Sequence, residues 1–268
     1  MKKRLDQCFA TLKAEQKKAF IAYLSAGDPD LSSTVDIVLR LEDQGVDVVE
    51  LGLPFSDPLA DGRVNQEAST RALEAGATFD GVMECVGQIR KRSSIPIVFY
   101  AYMNPLLSRG FDKAIKAGAE AGADGFLLLD LPVDESRPYR QALKENQMHA
   151  IQLITPTTPD ERIQKIVKQA SGFVYCVSRE GVTGVQDRIA QGAGDLVKRI
   201  KTHTDLPVAI GFGIGSPEQA REAAQLADGV VVGSAIVNAF HQESHNVEGR
   251  SRAAAFVGSM VRAVKEVS

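Results

Sequence analysis

Three carboxylates lie within one short stretch of this sequence and could carry proton transfer. Residues 46–51 are rich in β-branched side chains and predict a buried strand with Glu50 at its end. The following loop contains glycine and proline and holds Asp57 and Asp61. An acid at the tip of an apolar strand can have its pKa raised by desolvation, which makes Glu50 a candidate proton carrier near neutral pH. The alternative is that Glu50 is merely solvated and that Asp57 and Asp61 form turns.

Three glycine-containing turns, at 181–184, 211–215 and 233–235, follow the last three predicted strands and could bind an anion. Glycine lets backbone N–H groups approach an anion closely. The third turn, with Gly233 and Ser234, opens a short helix whose first N–H groups and dipole attract phosphate. Ordinary strand–helix turns also contain glycine, so each turn alone is weak evidence for an anion-binding site. Together they indicate a substrate that carries a phosphate.

Eight short apolar segments alternate with helical patterns and would position these residues. The predicted strands are 20–24, 46–51, 95–102, 125–129, 149–154, 172–177, 207–210 and 229–232. Such alternation implies a parallel sheet. Eight units favour a closed (β/α)8 TIM barrel, formed as one domain over residues 1–268, with an extra N-terminal helix at 3–15 and additional helices. A doubly wound sheet is the weaker alternative, because no GxGxxG follows the first strand.

In such a barrel the chemistry lies at the carboxyl ends of the strands. The residues predicted there are Asp28, Glu50, Asp61, Tyr102, Asn104, Asp130, Thr155, Tyr175, Ser178, Arg179, Thr183, Gly184, Gly211, Gly213, Gly233 and Ser234. No predicted strand ends in lysine, which disfavours a Schiff-base aldolase. The four histidines are predicted at the far face or around the last short helix, which disfavours a catalytic metal. Of the mechanisms considered, acid–base catalysis by carboxylates without a cofactor is the one that remains.

The composition is that of a mildly acidic globular protein. The 268 residues carry a formal net charge of −3, which argues against nucleic acid or a membrane surface as the main partner. Three widely spaced cysteines without a CxxC pair indicate a reducing compartment and no zinc site. No signal peptide or membrane span is predicted, so we expect a cytoplasmic protein.

The segment from Glu50 to Gly62, Glu-Leu-Gly-Leu-Pro-Phe-Ser-Asp-Pro-Leu-Ala-Asp-Gly, is highly specific. With Ser178–Gly184 and Gly211–Ile214 it closely resembles the family of tryptophan synthase alpha subunits, and the resemblance runs along nearly the whole chain. It implies cleavage of indole-3-glycerol phosphate to indole and glyceraldehyde 3-phosphate. It also implies no cofactor in this chain and a beta-subunit partner, in an alpha2beta2 assembly, that uses pyridoxal phosphate to join indole to serine.

Roles for individual residues follow from the resemblance. It implies that Glu50 transfers protons and that Asp61 binds the indole N–H. It also implies that the loop from Pro54 to Pro58, the turn at Asn104-Pro105 and Pro132 face the beta subunit. The substrate-binding residues that it implies are Tyr23, Tyr102, Tyr175, Thr183, Gly184, Gly213, Gly233 and Ser234. Of these, Gly184, Gly213, Gly233 and Ser234 would lie near the phosphate, and Tyr23 and Tyr102 would line the indole pocket.

One departure from the family pattern is visible, and two alternatives remain open. The family usually has proline after Ala60-Asp61-Gly62, whereas this chain has Arg63, so we expect a freer loop. The first alternative is another phosphate-binding barrel enzyme of the same pathway, which would lack the segment from Glu50 to Gly62. The second is a non-catalytic barrel that only activates its partner, which the presence of both Glu50 and Asp61 disfavours.

Overall fold

Eight parallel strands close into a barrel in the part of the chain that this computed structural model describes, residues 3–177, 192–211, 213–243 and 246–267. The strands are β1 (Ala19–Ser25), β2 (Val48–Gly52), β3 (Ile97–Ala101), β4 (Gly125–Leu128), β5 (His149–Ile154), β6 (Val174–Val177), β7 (Val208–Gly211) and β8 (Gly229–Val232). Each strand pairs with the next along the chain, and β8 pairs with β1. The predicted (β/α)8 TIM barrel is confirmed.

Helices cover the outside of the barrel and one of its ends. Those within the described residues are α1 (Arg4–Ala14), α2 (Leu31–Asp43), α3 (Arg63–Glu74), α4 (Phe79–Arg90), α5 (Met103–Ser108), α6 (Phe111–Ala121), α7 (Arg137–Glu145), α8 (Asp160–Val167), α9 (Gly192–Lys201), α10 (Pro217–Leu226), α11 (Ser234–Glu243) and α12 (Val247–Lys265). The extra N-terminal helix and the additional helices are therefore confirmed. Among the helices in the described ranges, none has the length and apolar character needed to cross a membrane.

Several local predictions need correction. β2 starts at Val48 and continues to Gly52, so Glu50 lies in the middle of the strand and not at its end. Helix α2 is capped by Asp30, whose side chain accepts the Ser33 N–H. The turn predicted at Asn104-Pro105 is part of helix α5 in the structure, because proline is tolerated in the first turn of a helix.

Alternate residues of the strands point into the barrel, because successive side chains of a strand face opposite sides. Ile21 pairs with Val48, and both belong to the inner core. Two residues further along each strand, Tyr23 pairs with Glu50. The same inward face therefore carries apolar side chains at depth and polar ones towards the carboxyl ends. A larger apolar core fills the space between the outer faces of the strands and the helices.

Helix α1 closes the amino-terminal end of the barrel. Leu5, Phe9 and Leu12 recur at helical spacing and are buried in the inner core, each contributing about 2 kcal/mol of burial free energy. The Phe9 ring lies 5.7 Å from the ring of Phe173, just before β6. The Arg4 guanidinium donates to the Asp124 carboxylate at 2.9 Å. Helix α1 therefore fills the barrel interior at this end, and the interior stays open towards the carboxyl ends of the strands.

Candidate active site

A cavity of about 310 Å³ opens at the carboxyl ends of the strands. It is lined by Tyr23, Glu50, Asp61, Gly62, Arg63, Val64, Asn65, Tyr100, Tyr175, Gly213, Ile214, Val231, Gly233 and Ser234. The structure thus brings to one place seven of the ten catalytic and substrate-binding residues that the resemblance implies. Tyr102 does not line the cavity, and Thr183 and Gly184 lie outside the described residues.

Glu50 is a buried carboxyl group in the wall of this cavity. The residue is 1% exposed, and its Oε1 atom has no hydrogen-bond partner among the described residues. Burial raises the pKa of Glu50 to about 8, because removal from water disfavours the charged form. At neutral pH the protonated acid therefore predominates. A neutral acid facing a cavity can donate a proton and, once ionised, can take one back.

Two phenols that line the same cavity, Tyr23 and Tyr175, are kept neutral. Burial, together with the nearby carboxyl groups, raises the pKa of each well above its usual value. Glycines on the neighbouring strands leave room for their hydroxyl groups. A Cβ at Gly52 would lie 2.7 Å from the Tyr23 hydroxyl oxygen, and one at Gly211 would overlap the hydroxyl of Tyr175. These strand glycines are therefore packing requirements of the site.

Asp61 lies at the end of the long loop and is held by two phenols. The Tyr100 hydroxyl donates to Asp61 Oδ1 at 2.6 Å, and the Tyr102 hydroxyl donates to Oδ2 at 3.1 Å. Asp61 is 7% exposed, and burial raises its pKa while both phenolic hydrogen bonds lower it. The Tyr102 hydroxyl also accepts the Ala60 N–H at 3.0 Å. Tyr102 therefore supports Asp61 and its loop, and its contact with a substrate stays a prediction.

Helix α3 anchors the loop that carries Asp61. The Gln66 amide donates to the Asp61 carbonyl at 2.9 Å. The Ser69 hydroxyl accepts the Phe55 N–H and donates to the Phe55 carbonyl, both at 2.8 Å. Asp57 is exposed and bonds only to the neighbouring Ser56 hydroxyl among the side chains that the structure describes. Of the two loop carboxylates, Asp61 alone reaches the cavity.

Arg63 is the first residue of α3 and lines the mouth of the cavity. Its guanidinium pairs with the Glu67 carboxylate one turn later at 2.8 Å, and its side chain is 90% exposed. A helix fixes the backbone of its first turn, and proline is itself favoured at this position. That Arg63 makes the preceding loop more mobile than proline would stays a prediction.

The predicted phosphate end lies where α11 begins. The Gly233 carbonyl accepts the N–H groups of Ile236 and Val237, so the earlier N–H groups of α11 have no partner within the helix. Gly213 has φ 78°, a conformation that suits glycine. A second cavity, of about 490 Å³, shares Gly213 and Ser234 with the first and opens towards this helix. The site can therefore hold a ligand that has an anionic group at this helix and an apolar ring in the first cavity.

Sequence reasoning missed Tyr100. The predicted strand ran to Tyr102, so that residue was assigned to the active face, but β3 ends at Ala101. The usable signal was strand periodicity, because Tyr100 follows the inward-facing Val98 by two residues. Asn65 and Val231 line the cavity and were also missed. In the described ranges, no group of three or more histidine, cysteine or acidic side chains is arranged to hold a metal ion.

Comparisons with known proteins agree on one family. The family model described as tryptophan synthase alpha chain matches residues 9–265. The tryptophan synthase alpha chain of Opitutus terrae is 46% identical over 98% of this chain and 99% of its own length. That of Carboxydothermus hydrogenoformans is 42% identical over 99% of both chains. The solved tryptophan synthase subunit alpha of Legionella pneumophila superposes with a TM-score of 0.88 at 34% identity, covering 100% of both chains. A chain of Mycobacterium tuberculosis tryptophan synthase superposes with a TM-score of 0.89 at 35% identity, covering 99% of both.

Proposed function

The chain belongs to the tryptophan synthase alpha chain family, and from this premise we propose how its residues carry out the family's reaction. It is a carbon–carbon lyase that cleaves indole-3-glycerol phosphate to indole and glyceraldehyde 3-phosphate in L-tryptophan biosynthesis. Its partner is the tryptophan synthase beta subunit, which carries the pyridoxal phosphate, and the alpha chain needs no cofactor of its own. We further propose that the chain acts in the cytoplasm and folds as one domain.

Glu50 is the proposed proton carrier. Indole is a poor leaving carbanion, so its C3 atom must gain a proton before the bond to the glycerol chain breaks. Glu50 is protonated at neutral pH and faces the cavity, so it supplies that proton. Its carboxylate then takes the proton of the side-chain hydroxyl as the bond to C3 breaks and the aldehyde forms. This second transfer returns Glu50 to its starting state.

Asp61 is the proposed partner of the indole N–H. Protonation at C3 places positive charge on the ring towards its nitrogen. A fixed carboxylate beside that nitrogen stabilises the charge and accepts the N–H, and its orientation by two phenols is set before the reaction begins. Tyr23 and Tyr175 would enclose the ring, and Tyr102 would act on it only through Asp61.

The phosphate group is proposed to bind where the two cavities meet. The N–H groups at Ser234 and the open backbone at Gly213 and Gly233 would hold it, supported by the dipole of α11. Thr183 and Gly184 would complete this end. The phosphate would fix one end of the substrate, and Asp61 would fix the indole at the other.

The loop from Pro54 to Pro58, together with Leu59 directly after it, is the proposed contact with the beta subunit. Leu59 is 89% exposed, whereas Phe55 at the start of the loop packs on Tyr102 with 5.4 Å between ring centroids. The loop therefore presents an apolar side chain to solvent while its base is attached to the residue that holds Asp61. Docking on this loop can reach the site through Tyr102.

The observation that carries the mechanism is the buried Glu50 carboxyl, whose Oε1 atom has no hydrogen-bond partner among the described residues. We expect Glu50→Gln to lower the turnover of indole-3-glycerol phosphate at least about a hundredfold, the scale of general acid–base catalysis, with the beta subunit present or absent. Glu74→Gln, at the exposed last residue of α3, is the matched control and should keep wild-type turnover. A Glu50→Gln enzyme with most of the wild-type rate would overturn the assignment.

A further inference from the structure

Tyr100 lies between the barrel and Asp61, and the mechanism above assigns it no separate effect on the reaction. Its side chain lines the cavity from β3, and its hydroxyl donates to Asp61 Oδ1 at 2.6 Å. That length is typical of a hydrogen bond from a hydroxyl to a charged carboxylate. Tyr102 binds the other oxygen from outside the cavity at 3.1 Å. Of the two phenols, Tyr100 therefore makes the shorter contact on the substrate side.

Tyr100 is itself held in a fixed place. It belongs to β3 and pairs with Gly52 of β2. Its ring packs edge-on against Tyr23, with 4.9 Å between centroids and 67° between planes. Gly52 leaves the space that the Tyr23 hydroxyl needs. A ring fixed by a strand and by a neighbouring ring is a better support for Asp61 than a loop side chain would be.

We propose that Tyr100 is a positioning residue for the lyase reaction, which fixes the orientation of Asp61 and keeps it as a carboxylate towards the indole nitrogen. This inference rests on the proposed role of Asp61. A carboxylate oxygen has two acceptor sites, so Oδ1 can accept from Tyr100 and still accept an N–H from the substrate. Tyr100 therefore acts on the reaction through Asp61, and the phenolic proton stays on Tyr100 throughout.

The surroundings of Asp61 explain why such support is needed. Burial raises the pKa of Asp61, and the hydrogen bonds from Tyr100 and Tyr102 lower it. The other titratable groups that line the cavity are Tyr23 on β1, Glu50 on β2, Tyr175 on β6 and Arg63 on α3. Arg63 pairs with Glu67, and Asp61 forms no ion pair within the described ranges. The two phenols therefore provide the stabilisation that a cation would otherwise supply.

The test is the pH dependence of kcat/KM for indole-3-glycerol phosphate, measured for the chain with its beta subunit. The wild-type profile should have an acidic limb from Asp61 and a basic limb from Glu50. Tyr100→Phe should move the acidic limb upward by about one pH unit and leave the basic limb in place. On the acidic limb itself the variant should then lose about tenfold in rate, whereas near the pH optimum its rate should approach that of wild type. Tyr139→Phe is the control, because this phenol packs against Phe111 on the outside of the barrel.

Two other outcomes would overturn the proposal. A Tyr100→Phe profile that falls equally at every pH would make Tyr100 part of the cavity wall only, and an unchanged profile would leave it without a role. If Tyr100→Phe does not fold, replacement of Tyr100 by 3-fluorotyrosine keeps the shape and strengthens the donor, so the acidic limb should move downward; an unmoved limb counts against the proposal. Full activity in Asp61→Asn would instead show that the proposed role of Asp61 has failed.

Discussion

Replacement of Glu50 by glutamine should make the protein more stable relative to wild type as the pH rises. Burial raises the pKa of Glu50 from 4.5 to about 8 in the folded protein. A raised folded-state pKa means that the folded protein binds the proton more tightly than the unfolded chain does. The resulting stabilisation is complete below the unfolded pKa and is lost as the pH rises towards and through about 8. Glutamine keeps the shape and cannot ionise, so Glu50→Gln lacks this loss.

The size of the effect follows from the pKa change. One pKa unit corresponds to about 1.4 kcal/mol, so the loss over the whole window is about 5 kcal/mol. Between about pH 6 and about pH 9, the free energy of unfolding of wild type should fall by about 2.5 kcal/mol relative to Glu50→Gln. For a chain of this length, that widens the difference in Tm by about 5 to 10 °C.

Scanning calorimetry at a series of pH values measures this difference, with Glu74→Gln as the matched control for removal of one carboxylate. Infrared difference spectra of wild type against Glu50→Gln report the same proton directly, because a protonated carboxyl has its own C=O band. That band should disappear around pH 8. Parallel Tm curves for wild type and Glu50→Gln, with no such band at neutral pH, would show that Glu50 is ionised throughout and cannot supply the first proton.

Two further predictions concern the phosphate and the partner. Gly213→Ala should weaken the binding of glycerol phosphate, measured by calorimetry, about tenfold because the added methyl group crowds the anion. Gly76→Ala is the control, because Gly76 has a similar φ of 84° and lies in open space. Equal affinities in the two variants would place the phosphate elsewhere. Leu59→Asp should weaken association with the beta subunit about tenfold and leave the Tm of the isolated chain unchanged. Val247→Asp, at another exposed apolar residue, is the control and should leave association unaltered. Equal association constants for the two variants would remove Leu59 from the interface.

The barrel was predictable from the sequence because its signal is repeated along the chain. Eight apolar segments alternate with amphipathic helices, and neither a shift of two residues at a strand end nor the missed helix α5 alters that pattern. The depth of Glu50 was not predictable, because it depends on walls contributed by β1, β3 and β6. Sequence placed it at a strand end, where partial hydration is expected, whereas β2 continues to Gly52.

The support of Asp61 shows a second limit of sequence reasoning. Tyr100 and Tyr102 are both visible in the sequence, and both belong to the predicted third strand. Only the end of β3 at Ala101 decides that one phenol faces the cavity and that the other lies behind the loop. The two phenols are two residues apart, so strand alternation alone places both on the same face. The path of the chain after Ala101, which depends on tertiary contacts, separates them.

Helix α1 also constrains the order in which a growing chain can become complete. It is made before all eight strands, yet its partners are made much later: Arg4 bonds to Asp124, and Phe9 packs on Phe173. Ala19 at the start of β1 must wait longer still for Gly229 of β8. During synthesis the apolar face of α1 has no surface to pack against until the middle of the barrel has left the ribosome. A helix translated before the barrel is thus among the last elements to be buried. In the meantime the nascent chain must keep Leu5, Phe9 and Leu12 from other hydrophobic surfaces.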